Sequence, residues 1–310
     1  MSPQAEGPFH AGERTLHARI GASDAVLAWG STAIRDHMPA QHQQFFAELG
    51  WVVVGGLDAS GQPWATAWHG EPGCLQPTSA TRLRIGAQAV AGDPLAGCWP
   101  VGAPLALLGI TPHNGRRNRM NGRVAATHAG GLDVAVLQSF GNCPKHIVRR
   151  LWQPAGAGAG AAPLLLGAQL PQAVCGVLCR TDTVFLASAS SRASQAGQAG
   201  AVGEGVDVSH RGGAPGFLRV HEARGATVIE LPDYAGNRLF NTLGNVLTQA
   251  RVGLLVMSPD SGDLLWLACW AELIDEPACT ATFAGAQRVL RLHVLEGRWS
   301  RQAWPWRAEA

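Results

Sequence analysis

The sequence predicts a mainly β protein of the α+β class, built from two tandem antiparallel barrels. Short runs of aliphatic and β-branched residues that end in turn residues occur along both halves of the chain. A glycine- and alanine-rich segment near the middle separates these halves. Parts of the two halves also align at a nearly constant offset, which indicates an internal repeat.

Composition restricts the class of protein. The 310 residues are 46% hydrophobic and 15% charged, which is typical of a globular chain. A net charge of +2 without a basic run argues against nucleic-acid binding. No apolar stretch reaches the roughly 20 residues that span a bilayer, and the amino terminus lacks a secretory pattern. Seven cysteines without a CxxC pair predict a reduced, cytoplasmic protein without a metal site. The lack of an apolar span predicts that there is no membrane partner.

Six strands and one short helix are predicted in the first half. The strands span 51–57, 63–69, 82–88, 104–111, 116–127 and 132–139. Residues 58–61 and 112–115 have the composition of tight turns. The helix covers 93–99 and opens with Asp93, whose charge would repel an anion from the helix start.

The central segment 154–163, PAGAGAGAAP, is predicted to be a flexible connector. It separates an amino-terminal barrel with a helical lead-in, 1–153, from a carboxy-terminal barrel, 164–310. Its alternating glycines lack the preceding strand and the following acidic residue of a dinucleotide-binding fingerprint.

Seven strands and a longer helix are predicted in the second half. The strands span 183–190, 206–209, 216–220, 226–231, 251–258, 263–274 and 289–296. Asn237 is the expected N-cap of the helix, whose apolar face carries Leu239, Phe240, Leu243, Val246 and Leu247. A helix start with Arg238 at its first position suits a phosphate. An ordinary cap followed by a solvated arginine is the alternative.

The internal repeat rests on two offsets. At 147 positions, residues 107–108 align with 254–255 and the turn 111–115 with 258–262. At 152 positions, residues 61–63 align with 213–215, and an insertion at 190–205 explains the change of offset. The alternative is that two β domains share Pro and Gly turns by chance.

Three stretches carry a resemblance to a known family. Residues 205–220, GVDVSHRGGAPGFLRV, and 231–246, LPDYAGNRLFNTLGNV, resemble the FMN-binding split barrels related to pyridoxamine 5'-phosphate oxidase. Residues 138–147, QSFGNCPKHI, are similar to a stretch of the double-barrel members. The resemblance implies two tandem split β-barrels forming a pseudo-dimer within one chain. It also implies FMN held where the barrels meet.

The resemblance and the charge of FMN together suggest the binding residues. Arginine matches a phosphate in bidentate fashion, so the phosphate is expected at Arg238 and Asn237, with Arg219 and Arg211 as further candidates. Phe217 and Leu218 are candidates for the edge of the flavin slot. The remaining candidates for cofactor contact are Ser209, His210, Thr242, Asn245, Gln138 and Ser139. For Arg211 and His210, the alternative is a solvated hairpin tip.

Two residues are candidates for chemistry outside the flavin. Lys145 is the only lysine of the chain, and Cys143 lies two residues before it. A cation next to a thiol lowers the thiol pKa and favours a nucleophilic thiolate. A surface lysine and a small buried cysteine are the alternative.

The sequence predicts an FMN-dependent oxidoreductase that binds one FMN per chain and acts on an unnamed small molecule, with NAD(P)H as a candidate electron donor. A non-catalytic flavin-binding protein is one alternative. A haem-binding split barrel with His210 or His146 as axial ligand is another.

The tail at 299–307 does not match the true oxidases, so the substrate of those enzymes is not assigned to this chain. The tail either covers the barrel junction or packs on the surface. A monomeric pseudo-dimer and a homodimer both remain open.

Overall fold

The computed structural model describes residues 7–22, 24–141, 146–156, 162–198, 201 and 203–309. In the first half the elements are α1 (Ala11–Arg19), α2 (Asp24–Ala33), α3 (Ala40–Ala47), β1 (Trp51–Leu57), β2 (Pro63–His69), β3 (Leu75–Ser79), β4 (Arg82–Ile85), β5 (Gln88–Ala89), β6 (Pro104–Thr111), β7 (Arg116–His128), β8 (Gly131–Gly141) and β9 (Trp152–Pro154).

The second half follows with a similar set of elements. They are β10 (Leu164–Leu166), α4 (Gln172–Arg180), β11 (Thr183–Ala189), β12 (Val206–Gly212), β13 (Arg219–Ala223), β14 (Ala226–Tyr234), α5 (Asn241–Thr248), β15 (Arg251–Met257), β16 (Leu264–Ile274), α6 (Pro277–Thr280), β17 (Ala286–Ser300) and β18 (Trp306–Ala308).

The fold is mainly β with a few helices and consists of two tandem split β-barrels, as the sequence predicts. The first sheet has the strand order β3-β4-β8-β7-β6-β1-β2-β5. The second, traced from its other end, has the order β13-β14-β17-β16-β15-β11-β12. Seven strands therefore occupy equivalent places in both halves, and β1 corresponds to β11, β2 to β12, β6 to β15 and β7 to β16.

Alternating side chains of the central strands explain how the halves pack. In β1, Val52 and Val54 lie in the core of the first barrel, whereas Val53 lies in a cluster that both halves share. In β11, Leu186 lies in the core of the second barrel and Phe185 in the shared cluster. These strands read as continuous apolar runs because both of their faces are buried.

The strands of the two halves also approach closely at the backbone. Gly253 of β15 lies against β2, where an added Cβ would stand 2.5 Å from the Cα of Trp64. A larger residue at 253 would push the barrels apart. The pseudo-dimer is therefore packed through its backbone as well as through its side chains.

The strand bounds predicted from the sequence agree well with the structure where the apolar pattern is long, and less well elsewhere. β1, β2 and β6 have the expected bounds. β13 begins three residues later than expected, at Arg219, because residues 214–217 form a turn that buries Phe217. The strands β3, β5, β9, β10 and β18 were not predicted, since each is short or at an edge.

Two helix predictions are wrong. Residues 93–99 form turns, and the Asp93 carboxylate accepts hydrogen bonds from Thr66, Trp68 and the Leu95 amide instead of opening a helix. The second-half helix begins at Asn241, not after Asn237, because Arg238 and Phe240 adopt positive φ angles of 59° and 60°. A left-handed residue interrupts a helix, so Phe240 occupies the N-cap position.

The offset of 147 agrees with the structure, whereas the offset of 152 does not. The turns at 111–115 and 258–262 join equivalent strand pairs, β6 to β7 and β15 to β16. Residues 61–63, however, enter β2, while 213–215 follow β12. The segment 190–205 does lie between β11 and β12, as expected for an insertion.

The carboxy-terminal tail packs against the joined halves. Trp304 is fully buried, and its ring lies 5.9 Å from that of Trp51 and 5.7 Å from that of His69. β18 pairs with β9, at the start of the central segment.

Residues 157–161 of the central segment lie outside the described residues, so its role as a connector remains a prediction. No helix in the described part of the chain is long and apolar enough to cross a membrane.

Candidate functional site

A cavity of about 140 Å³ where the halves meet is rich in arginine, and we call it the arginine pocket. The first half contributes Arg117 and Arg119 from β7. The second half contributes residues 209–212 of β12, the end of β14 with the loop that follows it (232–238) and the first turn of α5. The pocket therefore needs both barrels, as expected for a site at the junction of a pseudo-dimer.

Positive charge dominates the lining of the pocket. Four guanidinium groups line it, from Arg117, Arg119, Arg211 and Arg238. Asp233 is the one carboxylate among the described lining residues, and it binds Arg211 at 2.6 Å. The first turn of α5 adds amides that have no acceptor within the helix. An anion entering here would meet both guanidinium and backbone donors.

Three buried nitrogen atoms of the pocket have no hydrogen-bond partner among the described residues. They are Nδ1 of His210, Nε of Arg119 and Nε of Arg211. Burial lowers the pKa of His210 to about 3, so its imidazole is neutral. Buried polar atoms are normally paired, and unpaired ones in a cavity point to a missing partner. An oxyanion is a partner of suitable chemistry for the guanidinium groups.

A buried polar network forms one wall of the pocket. Arg119 donates to Asp207 at 2.7 Å and to the Asn241 amide oxygen at 3.0 Å. Asn241 in turn donates to Glu13 at 2.6 Å. The Thr242 hydroxyl donates to Asp207 at 3.3 Å. The network thus joins the amino-terminal helix, the first barrel and the second barrel.

The amino-terminal helix α1 positions the rim of the pocket. Its Gly12 faces Gly244 of α5 with no room for a Cβ on either residue, so the two backbones are in contact. His17 donates from Nε2 to the backbone oxygen of Arg238 at 2.8 Å, and its ring contacts that of Phe240. α1 therefore fixes the left-handed loop that carries Arg238.

The structure brings about half of the predicted site residues into the pocket. Ser209, His210, Arg211, Asn237, Arg238 and Thr242 all line it. Asn237 accepts a hydrogen bond from the Leu239 amide, so it shapes the loop ahead of the helix. The hydroxyls of Ser209 and Thr242 are bonded to each other at 2.7 Å.

The other candidates lie elsewhere. Phe217 and Leu218 are buried in the core of the second barrel and do not line the arginine pocket. Arg219 stacks on Phe283 and donates to the backbone oxygen of Thr282. Ser139 is buried and bonded to His42. Cys143 and Lys145 lie outside the described residues, so their catalytic roles remain predictions.

A larger cavity, of about 720 Å³, also lies between the halves, and we call it the junction cavity. Gln138 and Asn245, two predicted cofactor contacts, line this cavity rather than the arginine pocket. Asn241 lines both. The lining includes four carboxyl groups, from Glu13, Asp36, Glu204 and Asp207. Within the described ranges no cluster of His, Cys, Asp or Glu is arranged to hold a metal ion.

Strand register shows that tryptophans replace charged residues of the arginine pocket and its wall at the pseudo-symmetric position. Leu108 pairs with Arg119 in the first half, and the equivalent Leu255 pairs with Trp266. The same comparison of β2 with β12 shows that Trp64 is at the position equivalent to Asp207, and that Trp68 is at the position equivalent to Arg211. All three indoles are buried. The polar pocket therefore occurs at one of the two related positions in the described structure.

Comparisons with known proteins give limited information about this chain. No model of a known protein family matches the sequence, and no curated protein is significantly similar to it. A Lactobacillus delbrueckii protein provisionally assigned as a pyridoxamine 5'-phosphate oxidase has 14% identity over 42% of this chain and 93% of its own, with a TM-score of 0.29. HutZ, the heme storage protein of Vibrio cholerae, has 9% identity over 44% of this chain and 97% of its own, with a TM-score of 0.28. Superpositions this loose say nothing about the site.

Proposed function

We propose that the chain is an FMN-dependent oxidoreductase related to pyridoxamine 5'-phosphate oxidase, with the FMN phosphate bound in the arginine pocket. The observation that carries the proposal is the meeting of four guanidinium groups from both barrels beside an open helix start. The family resemblance of residues 205–220 and 231–246 supports the identity of the anion. Bound FMN would supply hydride or electron transfer, while the protein supplies binding and orientation.

The residues of the pocket suit the phosphate end of this cofactor. The unpartnered nitrogens of Arg119 and Arg211 are donors, and a phosphate offers acceptors in the matching geometry. The cavity of about 140 Å³ is too small for a whole drug-sized ligand, for which pockets of about 300 Å³ or more are usual. The flavin ring would therefore extend beyond the pocket. Tyr234 and His146, whose rings stack 5.1 Å apart, offer a flat surface at its lining.

Replacing Arg238 tests the phosphate assignment. Arg238→Ala removes an exposed guanidinium from the rim and leaves no buried charge behind. A hydrogen bond to a charged group contributes about 1.5–3 kcal/mol, so we expect FMN affinity to fall about 10- to 100-fold. Fluorescence titration of the flavin-free protein measures this change. Arg82→Ala, which removes an exposed arginine of β4, is the matched control. An Arg238→Ala variant with unchanged affinity would place the phosphate elsewhere.

Turnover separates the enzyme from a flavin carrier. The purified protein would be yellow in both cases. The flavin of an enzyme would be reduced by NAD(P)H and reoxidised by an electron-accepting substrate, which leaves as the reduced product, whereas a carrier would hold its flavin without turnover. The same protein sample therefore distinguishes the two flavin-binding functions.

Haem binding is a second candidate, favoured by one observation. His210 is neutral, and its buried Nδ1 has no partner among the described residues, which is the state of an imidazole that ligates a metal. The pocket would have to open widely to admit a porphyrin. A Soret band that His210→Ala abolishes would support haem, and a flavin spectrum without such a band would exclude it.

A further inference from the structure

The junction cavity has a lining unlike that of the arginine pocket, although the two share a wall. Its volume of about 720 Å³ lies within the range of small-molecule sites. It is lined by α1, the end of α2, strands β7 and β8, residues 196–198, 201 and 203–205, the start of β12 and helix α5. Nothing in the proposed flavin-phosphate site uses this space.

Carboxyl groups outnumber cations on the inner wall of the cavity. Glu13, Glu204 and Asp207 are close enough for the last two to affect the ionisation of Glu13. The guanidinium group of Arg119 faces these carboxyl groups, and it is already bonded to Asp207. At the outer rim, Asp36 pairs with His37, and Arg35 lines the same edge. Because Arg119 is already paired with Asp207, Glu204 supplies the negative charge of the inner wall that has no guanidinium partner among the described lining residues.

Two oxygen atoms of the lining have no hydrogen-bond donor among the described residues. One is Oε2 of Glu204, and the other is Oδ1 of Asn121, a residue only 9% exposed. The orientation of the Asn121 amide is fixed, since its nitrogen donates to Gln138 at 3.1 Å and Gln138 donates to the backbone oxygen of Pro8. Its carbonyl oxygen is thus left as an acceptor. Both atoms call for a ligand that donates hydrogen bonds.

We propose that the junction cavity binds a small organic cation, with its ammonium or similar group held by Glu204, Asn121 and the inner carboxyl groups. An anion would meet Glu204 and Asp207 and be repelled. A cation would satisfy the two unpartnered oxygens and offset the negative charge of the inner wall. Of the residues that line the arginine pocket, Asn241 also lines this cavity, but Glu204 and Asn121 line the cavity alone, so variants at Glu204 and at Arg238 test the two proposals separately.

Proton release is expected when the cation binds. Burial, together with the charges of Asp207 and Glu204, raises the pKa of Glu13 to about 8, although hydrogen bonds from the His10 amide and Asn241 oppose the shift. The groups that face Glu13 are His10 on its own helix, Glu204, Asp207 and Arg119. A bound cation favours the ionised carboxylate, so binding at pH 7 should release part of one proton.

Calorimetric titration with benzylamine, benzyl alcohol and benzoate tests the proposal on the full chain. These probes share a ring and differ in the charge of one group. We expect benzylamine to bind at least tenfold more tightly than the alcohol, and benzoate not to bind. Glu204→Gln should weaken benzylamine about tenfold, whereas Glu71→Gln, at an exposed site outside the cavity, should leave it unchanged.

Two results would overturn the proposal. One is equal binding, or no binding, of the three probes by the unaltered protein, which needs no variant to fold. The other is benzylamine affinity that does not respond to Glu204→Gln. Titrations in two buffers of different ionisation enthalpy should also show proton release, and Glu13→Gln should abolish it.

Discussion

At the scale of single residues, Arg119 forms a buried ion pair that joins the two barrels. It is 6% exposed and binds Asp207 of the other half at 2.7 Å. Burying both charges is costly, and the short bond with further polar partners offsets that cost. Burial lowers the pKa of Arg119, but the carboxylate of Asp207 opposes the change. Removing either partner alone would leave an uncompensated charge in the interior.

Arg119→Ala should therefore destabilise the fold strongly. The expected loss is about 3–5 kcal/mol of unfolding free energy, the usual result of breaking a buried ion pair from one side. Urea denaturation followed by circular dichroism measures it. The double variant Arg119→Ala with Asp207→Ala should recover part of the loss, because it leaves no buried carboxylate. A single variant that loses less than about 1 kcal/mol would show that the pair is solvated.

Glu13 makes stability depend on pH. Its pKa rises from 4.5 to about 8 on folding, so the folded protein holds a proton that the unfolded chain releases between these pH values. Stability attributable to this group is present below about pH 4.5 and is lost as the pH rises to about 8. Glu13→Gln cannot ionise, so its stability should fall less than that of the unaltered protein between pH 5 and 8. Denaturation at several pH values tests this; parallel curves for the two proteins would contradict it.

His210, whose pKa is lowered to about 3, makes stability rise with pH between about pH 3 and 6.5, and it does so in both proteins.

At the scale of elements, α1 and α5 pack against each other at the rim of the arginine pocket. Gly12 and Gly244 allow the helices to touch through their backbones, which brings Glu13 to Asn241 and His17 to Arg238. The left-handed conformations of Arg238 and Phe240 end the preceding loop without a helical turn. The start of α5 thereby lies three residues later than the start expected after Asn237.

Gly12→Ala tests the coupling of α1 to the pocket. The new methyl group would collide with the Gly244 carbonyl, and such overpacking costs about 1–3 kcal/mol. We expect α1 to shift and FMN affinity to fall, since His17 would lose its bond to Arg238. Gly167→Ala, at a glycine with open space around it, is the control for both stability and affinity. If FMN binding is weakened in the control, or is unchanged in Gly12→Ala, the position of α1 does not determine FMN affinity.

At the scale of the whole molecule, the two barrels share a strand order but not a binding site. The positions equivalent to Arg119, Arg211 and Asp207 carry Trp266, Trp68 and Trp64. The tail adds Trp304 to the same shared cluster that contains Trp64 and Trp266. One junction is thus polar and the other is filled by indoles. We expect a single anion site per chain.

The sequence predicts the fold and the second-half side of the pocket but not the rest. β-Branched runs bounded by turns locate most strands, and the stretch from Ser209 to Thr242 holds the six predicted site residues that line the pocket. Arg119 was missed because strand alternation does not reveal which side chain faces the other barrel. Glu13 and His17 were missed because their partners lie 228 and 221 positions away. The pattern His10 to Glu13 indicates a capping box, but not a contact with α5.

Parallel titration of the flavin-free protein with FMN and with riboflavin tests the central claim most directly. The predicted result is one FMN per chain, with riboflavin, which lacks the phosphate, bound at least tenfold more weakly. Two equivalent FMN sites, or equal affinity for the two flavins, would contradict an arginine pocket that anchors a phosphate at a single junction.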